Sequence, residues 1–229
     1  MHRSSILSLF LITLATVAAR GAEKTTDPGW VNLFNGRNLD GWVQHGGQAK
    51  YRAQDGQIIG MSVPNTGNSF LCTRRDYTNF TLELEFKVHT NMNSGVQIRS
   101  HVFDQPTELN HDGKTIKIPA GRVHGYQVEI DPSTRAWTAG IYDEGRRGWL
   151  NDLQTNEPAR KAFKSGDWNK LRIEAKGDSI KTWLNGVPAA DLKDALTSSG
   201  FIALQVHGVG AKTEEFDVRF RNLRLKELR

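Results

Sequence analysis

Apolar and polar residues alternate with a period of two along most of this chain, and the clearest run is Phe80-Thr-Leu-Glu-Leu-Glu-Phe-Lys-Val-His89. Alternation of this kind puts every second side chain on one face of a pleated strand. Shorter runs with the same signature lie at residues 57–61, 69–72, 96–99, 126–130, 137–142, 170–175, 180–184, 201–206 and 216–225. Turn formers separate them, among them Asp55-Gly56, Gly177-Asp178 and Asn185-Gly186, as tight connections between strands require. No segment carries a 3.6-residue apolar period with caps, and only residues 191–198 read as a short helix or turn. Many strands without intervening helices predict an all-β protein, a sandwich or barrel of antiparallel sheets in one domain. Two polar stretches, 101–124 and 143–167, break the rhythm and are expected to be loops that wall a cleft.

The polar faces of three of these strands are chemically unusual. Val96 and Ile98 oppose Gln97 and Arg99; Val128 and Ile130 oppose Gln127, Glu129 and Asp131; Ile202, Leu204 and Val206 oppose Gln205 and His207. A solvated sheet face more often carries Lys, Thr and Ser, so amides, an arginine, carboxylates and a histidine predict a binding concavity, which Tyr142 extends to a fourth strand. Glu129 and Asp131 would stand about 7 Å apart on one face, as in glucanases with a Glu-x-Asp-x-x-Glu strand. The last position of that pattern is Thr134 here, which leaves a two-carboxylate displacement without its acid partner. The competing role for these carboxylates is a solvated face or an ion pair with Arg99. His207 ends its strand, where an imidazole suits proton transfer near neutral pH.

Composition narrows the choice. Residues 1–5 include Arg3, residues 6–18 are an apolar run, and small residues follow around Ala19. That is the pattern of a secretory signal peptide cleaved after Ala19, leaving a mature domain of residues 20–229 that is exported and holds no membrane span. The formal charge of +5 is spread along the chain, and the C-terminal basic residues alternate with apolar ones, so a nucleic-acid partner is not expected. The one cysteine, Cys72, cannot form an intramolecular disulfide, which leaves stability to a large core. His101, His111 and His124 bracket the first polar stretch with Asp104, Glu108 and Asp112, but their spacing matches no standard zinc motif. No metal site and no cofactor are predicted from these residues, with a divalent cation kept as the alternative; His124 is the one expected to reach the cleft. Trp149, Trp168 and Trp183 are potential platforms for sugar rings. Trp149, placed in a loop, is preferred, because Trp168 just precedes a strand and reads as core.

Taken in order, Leu33-Phe-Asn-Gly-Arg-Asn-Leu-Asp-Gly-Trp42, Asn93-Ser-Gly-Val-Gln-Ile-Arg99, Gly125-Tyr-Gln-Val-Glu-Ile-Asp131, Gly140-Ile-Tyr-Asp143, Gly166-Asp-Trp-Asn169, Trp183-Leu-Asn-Gly-Val187, Gly200-Phe-Ile-Ala-Leu-Gln-Val-His207 and Phe220-Arg-Asn-Leu223 resemble the 3-keto-disaccharide hydrolase family, long called a domain of unknown function. The resemblance spans essentially the whole mature chain and implies a concanavalin-like jelly roll. It also implies action on glycosides whose glucose unit is oxidised at C3, by hydrolysis or by β-elimination across C1 and C2. On that basis Glu129 or His207 is the base at C2, the other is the acid at the glycosidic oxygen, and Arg99 stabilises enolate charge. Gln97, Gln127, Asp131, Tyr142, His124, Trp149 and Gln205 are then the substrate-binding set. The implied partner is an oxidised glycoside or oligosaccharide, supplied by a sugar 3-dehydrogenase acting upstream. The alternative is a non-catalytic carbohydrate-binding or scaffold module, since fold alone decides neither; an acid/base histidine and glutamate are more than a lectin needs.

Overall fold

Each strand can bury only one face, so strands of this pattern find a stable arrangement by stacking two sheets apolar face to apolar face. The computed structural model describes residues 28–229, and the predicted signal peptide lies outside the described residues. In chain order the strands are β1 (Trp30–Asn32), β2 (Trp42–Gly46), β3 (Lys50–Gln54), β4 (Gln57–Met61), β5 (Ser69–Thr73), β6 (Phe80–Val88), β7 (Ser94–His101), β8 (Thr107–His111), β9 (Lys114–Ile118), β10 (His124–Ile130), β11 (Ile141–Glu144), β12 (Gly148–Asn151), β13 (Asn169–Lys176), β14 (Ser179–Leu184), β15 (Val187–Lys193), β16 (Phe201–Val206) and β17 (Asp217–Glu227). One sheet runs β15-β14-β13-β6-β17-β4-β3 with β1 beside β17, and the other runs β12-β11-β10-β7-β16-β5-β2.

Between the sheets lies the core. Phe80, Leu82, Leu84 and Phe86 of β6 meet Val96 and Ile98 of β7, Tyr126, Val128 and Ile130 of β10, and Ile202, Leu204 and Val206 of β16. Each fully buried side chain of this size is worth about 1.5–3 kcal/mol. A one-residue slip of β10 would turn its whole apolar set outward, so the register is strongly specified. A smaller apolar cluster of Phe70, Cys72, Val123, Phe201 and Ala203 covers part of the second sheet's outer face. Burial there pushes the Cys72 thiol up to about 12, which leaves it inert.

Several predicted elements change form. The run expected at 137–142 begins as a strand only at Ile141, because Asp131 diverts the backbone before it. The Asp131 carboxylate accepts from the amides of Ser133 at 3.1 Å and Trp137 at 3.2 Å, a turn chemistry that competes with the ladder. Residues expected to form a short helix or turn from 191 belong in part to β15. Both polar stretches contain regular structure: the first holds the β8–β9 hairpin, turned at Asp112 and Gly113 with φ of 49° and 71°, and the second holds β12 and the helix α1 (Glu157–Lys161). Trp149 therefore stands on a strand rather than in a loop.

The most consequential departure is a bulge in β7. Ile98 pairs with Tyr126 and His101 with His124, so β7 uses one residue more than β10 over the same length. Arg99 sits at this point with φ of +46°. Beyond it Ser100, not Arg99, shares the face of Gln97, with Ser100 Oγ donating to Gln97 Oε1 at 2.9 Å. Arg99 is wholly buried. Its guanidinium donates to the Thr78 carbonyl at 2.8 and 2.6 Å and to the Gly177 carbonyl at 2.8 Å. The strand pattern put Arg99 on the polar face; the bulge removes it.

Charged groups clamp the start of the second polar stretch. Asp143, fully buried on β11, takes Arg146 at 2.5 Å and Arg147 at 2.5 Å, and Arg147 reaches on to Asp194 at 2.8 Å. The Tyr126 hydroxyl also donates to Asp194. Burial works against the charged form of Asp194, but hydrogen bonds from Arg147 and Tyr126 outweigh it and hold the carboxyl below its ordinary 3.8. A depressed carboxyl contributes stability that is complete above the unfolded value and is lost as pH falls through the folded one. Melting temperatures followed by circular dichroism are therefore expected to fall below pH 3.8. Asp194→Asn should be less stable at neutral pH and show a shallower decline in that range.

Candidate functional site

The outer face of the second sheet carries a concavity of about 440 Å³ over β10 and β11. Its floor is Gln127 and Glu129 of β10 with Tyr142 and Glu144 of β11; Trp149 of β12 closes one side. Turns supply the rest of the wall: Asn68 and Asn93 before β5 and β7, Arg122 before β10, Arg135 after it, and His207 after β16.

Glu129 is the centre of this arrangement. Its side chain is 4% exposed, its Oε1 accepts from Asn93 Nδ2 at 2.5 Å, and its Oε2 accepts from Gln127 Nε2 at 2.7 Å. Burial pushes its carboxyl above the ordinary range against the pull of these two donors, with Asp131 adding to the rise and Arg135 opposing it. A carboxyl held by neutral amides and raised in this way is a better proton acceptor than an ordinary carboxylate.

The backbone around Glu129 is bare on both sides. Gly95 is its partner on β7, and the Glu129 amide donates to the Gly140 carbonyl at 2.9 Å on the other edge. A Cβ on Gly95 would come within 2.6 Å of the Gln127 side chain, and one on Gly140 within 3.2 Å of the Trp149 ring. Glycine at the first position thus lets the Gln127 amide lie against Glu129. At the second it gives Trp149 its place.

The walls are fixed by ion pairs and stacking. Arg122 Nη2 lies 2.6 Å from Glu144 Oε1; burial raises the Glu144 carboxyl above its usual range, with Arg122 and His207 opposing the rise. Arg135 donates to Asp131 at 2.8 Å, and its guanidinium stands 4.7 Å from the Trp137 ring centre and 5.1 Å from that of Trp149. Burial opposes the Asp131 charge, yet hydrogen bonds from Ser133 and Arg135 hold its carboxyl below the ordinary range. Tyr142 meets Trp149 edge to face at 5.3 Å, and its hydroxyl is pushed up by burial, with Glu144 and Glu129 adding to the shift. His207 Nδ1 lies 2.8 Å from the Gly208 carbonyl, which places the neutral ring's hydrogen there and leaves Nε2 to take a proton, or to give one when the ring is an imidazolium.

Of the residues singled out in the sequence, Gln127, Glu129, Tyr142, Trp149 and His207 meet at the concavity. Gln97 and Gln205 lie beneath it, fully buried, and both donate to Gln127 Oε1, at 2.8 and 2.9 Å. Asp131 turns away from the hollow to hold Arg135, so the paired-carboxylate arrangement of Glu129 with Asp131 does not form. His124 is buried against His101 and Phe103, with ring centres 6.1 and 4.7 Å away. It does not reach the hollow because it lies two residues before Tyr126 and so shares that residue's inward face, opposite Gln127 and Glu129. Among the described residues no group of three or more His, Cys, Asp or Glu is placed to hold a metal ion. Trp168 and Trp183 lie elsewhere, capped by Arg221 at 3.9 Å and Arg172 at 5.6 Å.

Asn68, Asn93, Arg122, Arg135 and Glu144 escaped the strand pattern. Four of them sit in turns, where no pleat dictates direction. Glu144 was legible, since it lies two residues beyond Tyr142 on the same strand and therefore on the same face.

A sequence model of the 3-keto-α-glucoside-1,2-lyase-like domain matches residues 29–226. A 3-keto-disaccharide hydrolase of Bacteroides thetaiotaomicron is 24% identical over 240 residues, which is 87% of this chain and 79% of the relative. Among solved structures, a Bacillus subtilis protein of unknown function with a galectin-like fold superposes with a TM-score of 0.58 at 11% identity, over 82% of this chain and 90% of that one. The carbohydrate binding module CBM66 of Bacillus subtilis gives 0.53 at 16% identity, over 82% and 96%. The structural likenesses bear on fold, and they set this antiparallel sandwich among the concanavalin-like jelly rolls.

Proposed function

The chain belongs to the 3-keto-α-glucoside-1,2-lyase-like family, and from that premise we propose that it cleaves glycosides whose glucose unit carries a ketone at C3. The observation that carries this reading is the pairing, in one hollow, of a buried carboxylate held by neutral amides with a histidine that keeps one ring nitrogen available. A 3-ketone makes the C2 hydrogen acidic. Removal of that proton gives an enolate, which expels the C1 oxygen: the C2–H and C1–O bonds break, a C1=C2 double bond forms, and the leaving oxygen takes up a proton. Addition of water across the double bond then gives net hydrolysis. Glu129 and His207 share the two proton transfers.

Arg99 has no part in this scheme, since it lies on the far side of the bulge. The cations available to a developing enolate oxygen are Arg122 and Arg135. Asp131, which holds Arg135, serves the hollow indirectly, and Tyr142 and Trp149 bound the sugar. An apolar leader at 6–18 supports export of the mature domain, and the substrate requires a reaction that first oxidises the C3 hydroxyl, the work of a sugar 3-dehydrogenase.

Incubation of the purified protein with 3-keto-trehalose or 3-keto-lactose, with and without chelator, should raise the 2-hydroxy-glucal absorbance or release the aglycone. Unoxidised trehalose and lactose should stay intact. Binding of intact glycans without turnover of either ketone would instead mark a carbohydrate-binding module, the activity that the name of CBM66 describes.

A further inference from the structure

Below the hollow the amides run in one direction. Gln127 Oε1 accepts from both Gln97 Nε2 and Gln205 Nε2, at 2.8 and 2.9 Å, so its NH₂ must face Glu129, and Nε2 lies 2.7 Å from Oε2. Gln97 is oriented in turn by Ser100, whose single hydroxyl hydrogen serves Gln97 Oε1 at 2.9 Å or the Ile98 carbonyl at 3.0 Å. Turning the Gln127 amide over would set two donors against a donor and an oxygen against the carboxylate. Gln205 gives independent support, because its own Oε1 is buried without a partner. That orientation does not satisfy Gln205; it satisfies Gln127. A buried polar atom left unpaired in a native protein asks for a reason, and the direction of the chain supplies one.

We propose that Ser100, Gln97 and Gln205 are positioning residues which, through Gln127, hold Glu129 as a hydrogen-bond acceptor, making it the base at C2 and leaving His207, as an imidazolium with one proton toward the Gly208 carbonyl and the other on Nε2, as the acid at the glycosidic oxygen. This role rests on the ketoglycoside-cleaving function proposed above. The two donors, Asn93 and Gln127, occupy one lone pair on each carboxylate oxygen and favour the ionised group, while a protonated Glu129 would have to point its hydrogen away from both. The other titratable and charged groups around Glu129 are Asp131 and Arg135 beyond the end of β10, Tyr142 and Glu144 on β11, Arg122 before β10, and His207 after β16. None of them belongs to the amide chain.

The test replaces both inner donors with an apolar side chain of similar size, Gln97→Met with Gln205→Met, which frees the Gln127 amide to turn over. Glu129 is followed by NMR of protein labelled at the glutamate carboxyl carbon, its signal assigned by its loss in Glu129→Gln. The expected result is a rise of its titration midpoint by about one to two pH units, the equivalent of one hydrogen bond to a charged group. The acid limb of kcat/KM on the 3-keto-glycoside should rise by the same amount. Should the double variant not fold, Gln97→Met alone is expected to shift both in the same direction by less. An unchanged midpoint overturns the chain whatever the kinetics show. A shifted midpoint with an unmoved acid limb keeps the chain and overturns Glu129 as the base. A shifted midpoint in a protein that turns over no ketoglycoside leaves the chain standing and removes the proposed function.

Discussion

Glu129→Gln is expected to lower turnover of a 3-keto-glucoside about 10²–10⁴-fold, the span typical for loss of a general base or acid, while the protein stays at least as stable as wild type at neutral pH. The two halves of this expectation have one cause. Burial raises the Glu129 carboxyl above its ordinary value of 4.5, so the folded state binds this proton more tightly than the unfolded state does. Stability contributed in this way is complete below the unfolded value and is lost as pH rises through the folded one. At neutral pH the charged form therefore gives up stability that a neutral amide keeps. Asn93, on a turn at the rim, can rotate its amide to accept from the new NH₂. A thermal melt and a single-turnover assay on the same sample check both halves, and near wild-type rates would remove Glu129 from the chemistry. A variant that is dead and unfolded would contradict the trade of stability for activity proposed here.

Arg99→Met is expected to do the opposite: lower stability by about 2–4 kcal/mol and leave turnover per folded molecule within about twofold of wild type. The magnitude follows from stranded acceptors, each costing about 1–3 kcal/mol when buried without a donor. Thr78 and Gly177 would lose the guanidinium from their carbonyls, while Asn79 Oδ1 would keep the Gly177 amide at 2.9 Å. Burial without a carboxylate among its hydrogen-bond partners makes the cation itself costly, which offsets part of the loss. Chemical denaturation gives the first quantity, and a rate normalised to folded protein gives the second. Loss of rate with unchanged stability would return Arg99 to the site that the strand pattern first suggested.

Arg99 also shows where sequence reasoning stops. The core face was legible because burial enforces it: Val96 and Ile98, Val128 and Ile130, and Ile202, Leu204 and Val206 all point inward as their alternation required. The floor of the site was legible for the same reason, since Gln127, Glu129 and Tyr142 are the complements of those buried positions. A bulge is one residue of excess in a local ladder, and nothing in the run from Gln97 to His101 distinguishes it from continuous strand. Turns are harder still. Arg135 reaches the hollow because Asp131 folds the chain back and two indoles hold the guanidinium, a set of contacts that no periodicity encodes. Alternation makes Gln97, Gln127 and Gln205 equivalent, whereas in the fold Gln127 lines the hollow and Gln97 and Gln205 lie fully buried beneath it, donating to its Oε1.

The bare backbone on either side of Glu129 limits where this protein can change. A side chain at position 95 would collide with Gln127 and one at position 140 would crowd Trp149, so the floor of the hollow tolerates little variation at these two positions. Asn68, Asn93, Arg122 and Arg135 stand on connections whose neighbouring residues and lengths can vary without disturbing the ladder. Under the proposed cleavage, altered preference for the departing group, whether by evolution or by directed libraries, is accordingly to be sought in those four connections, with the pleated ground held constant.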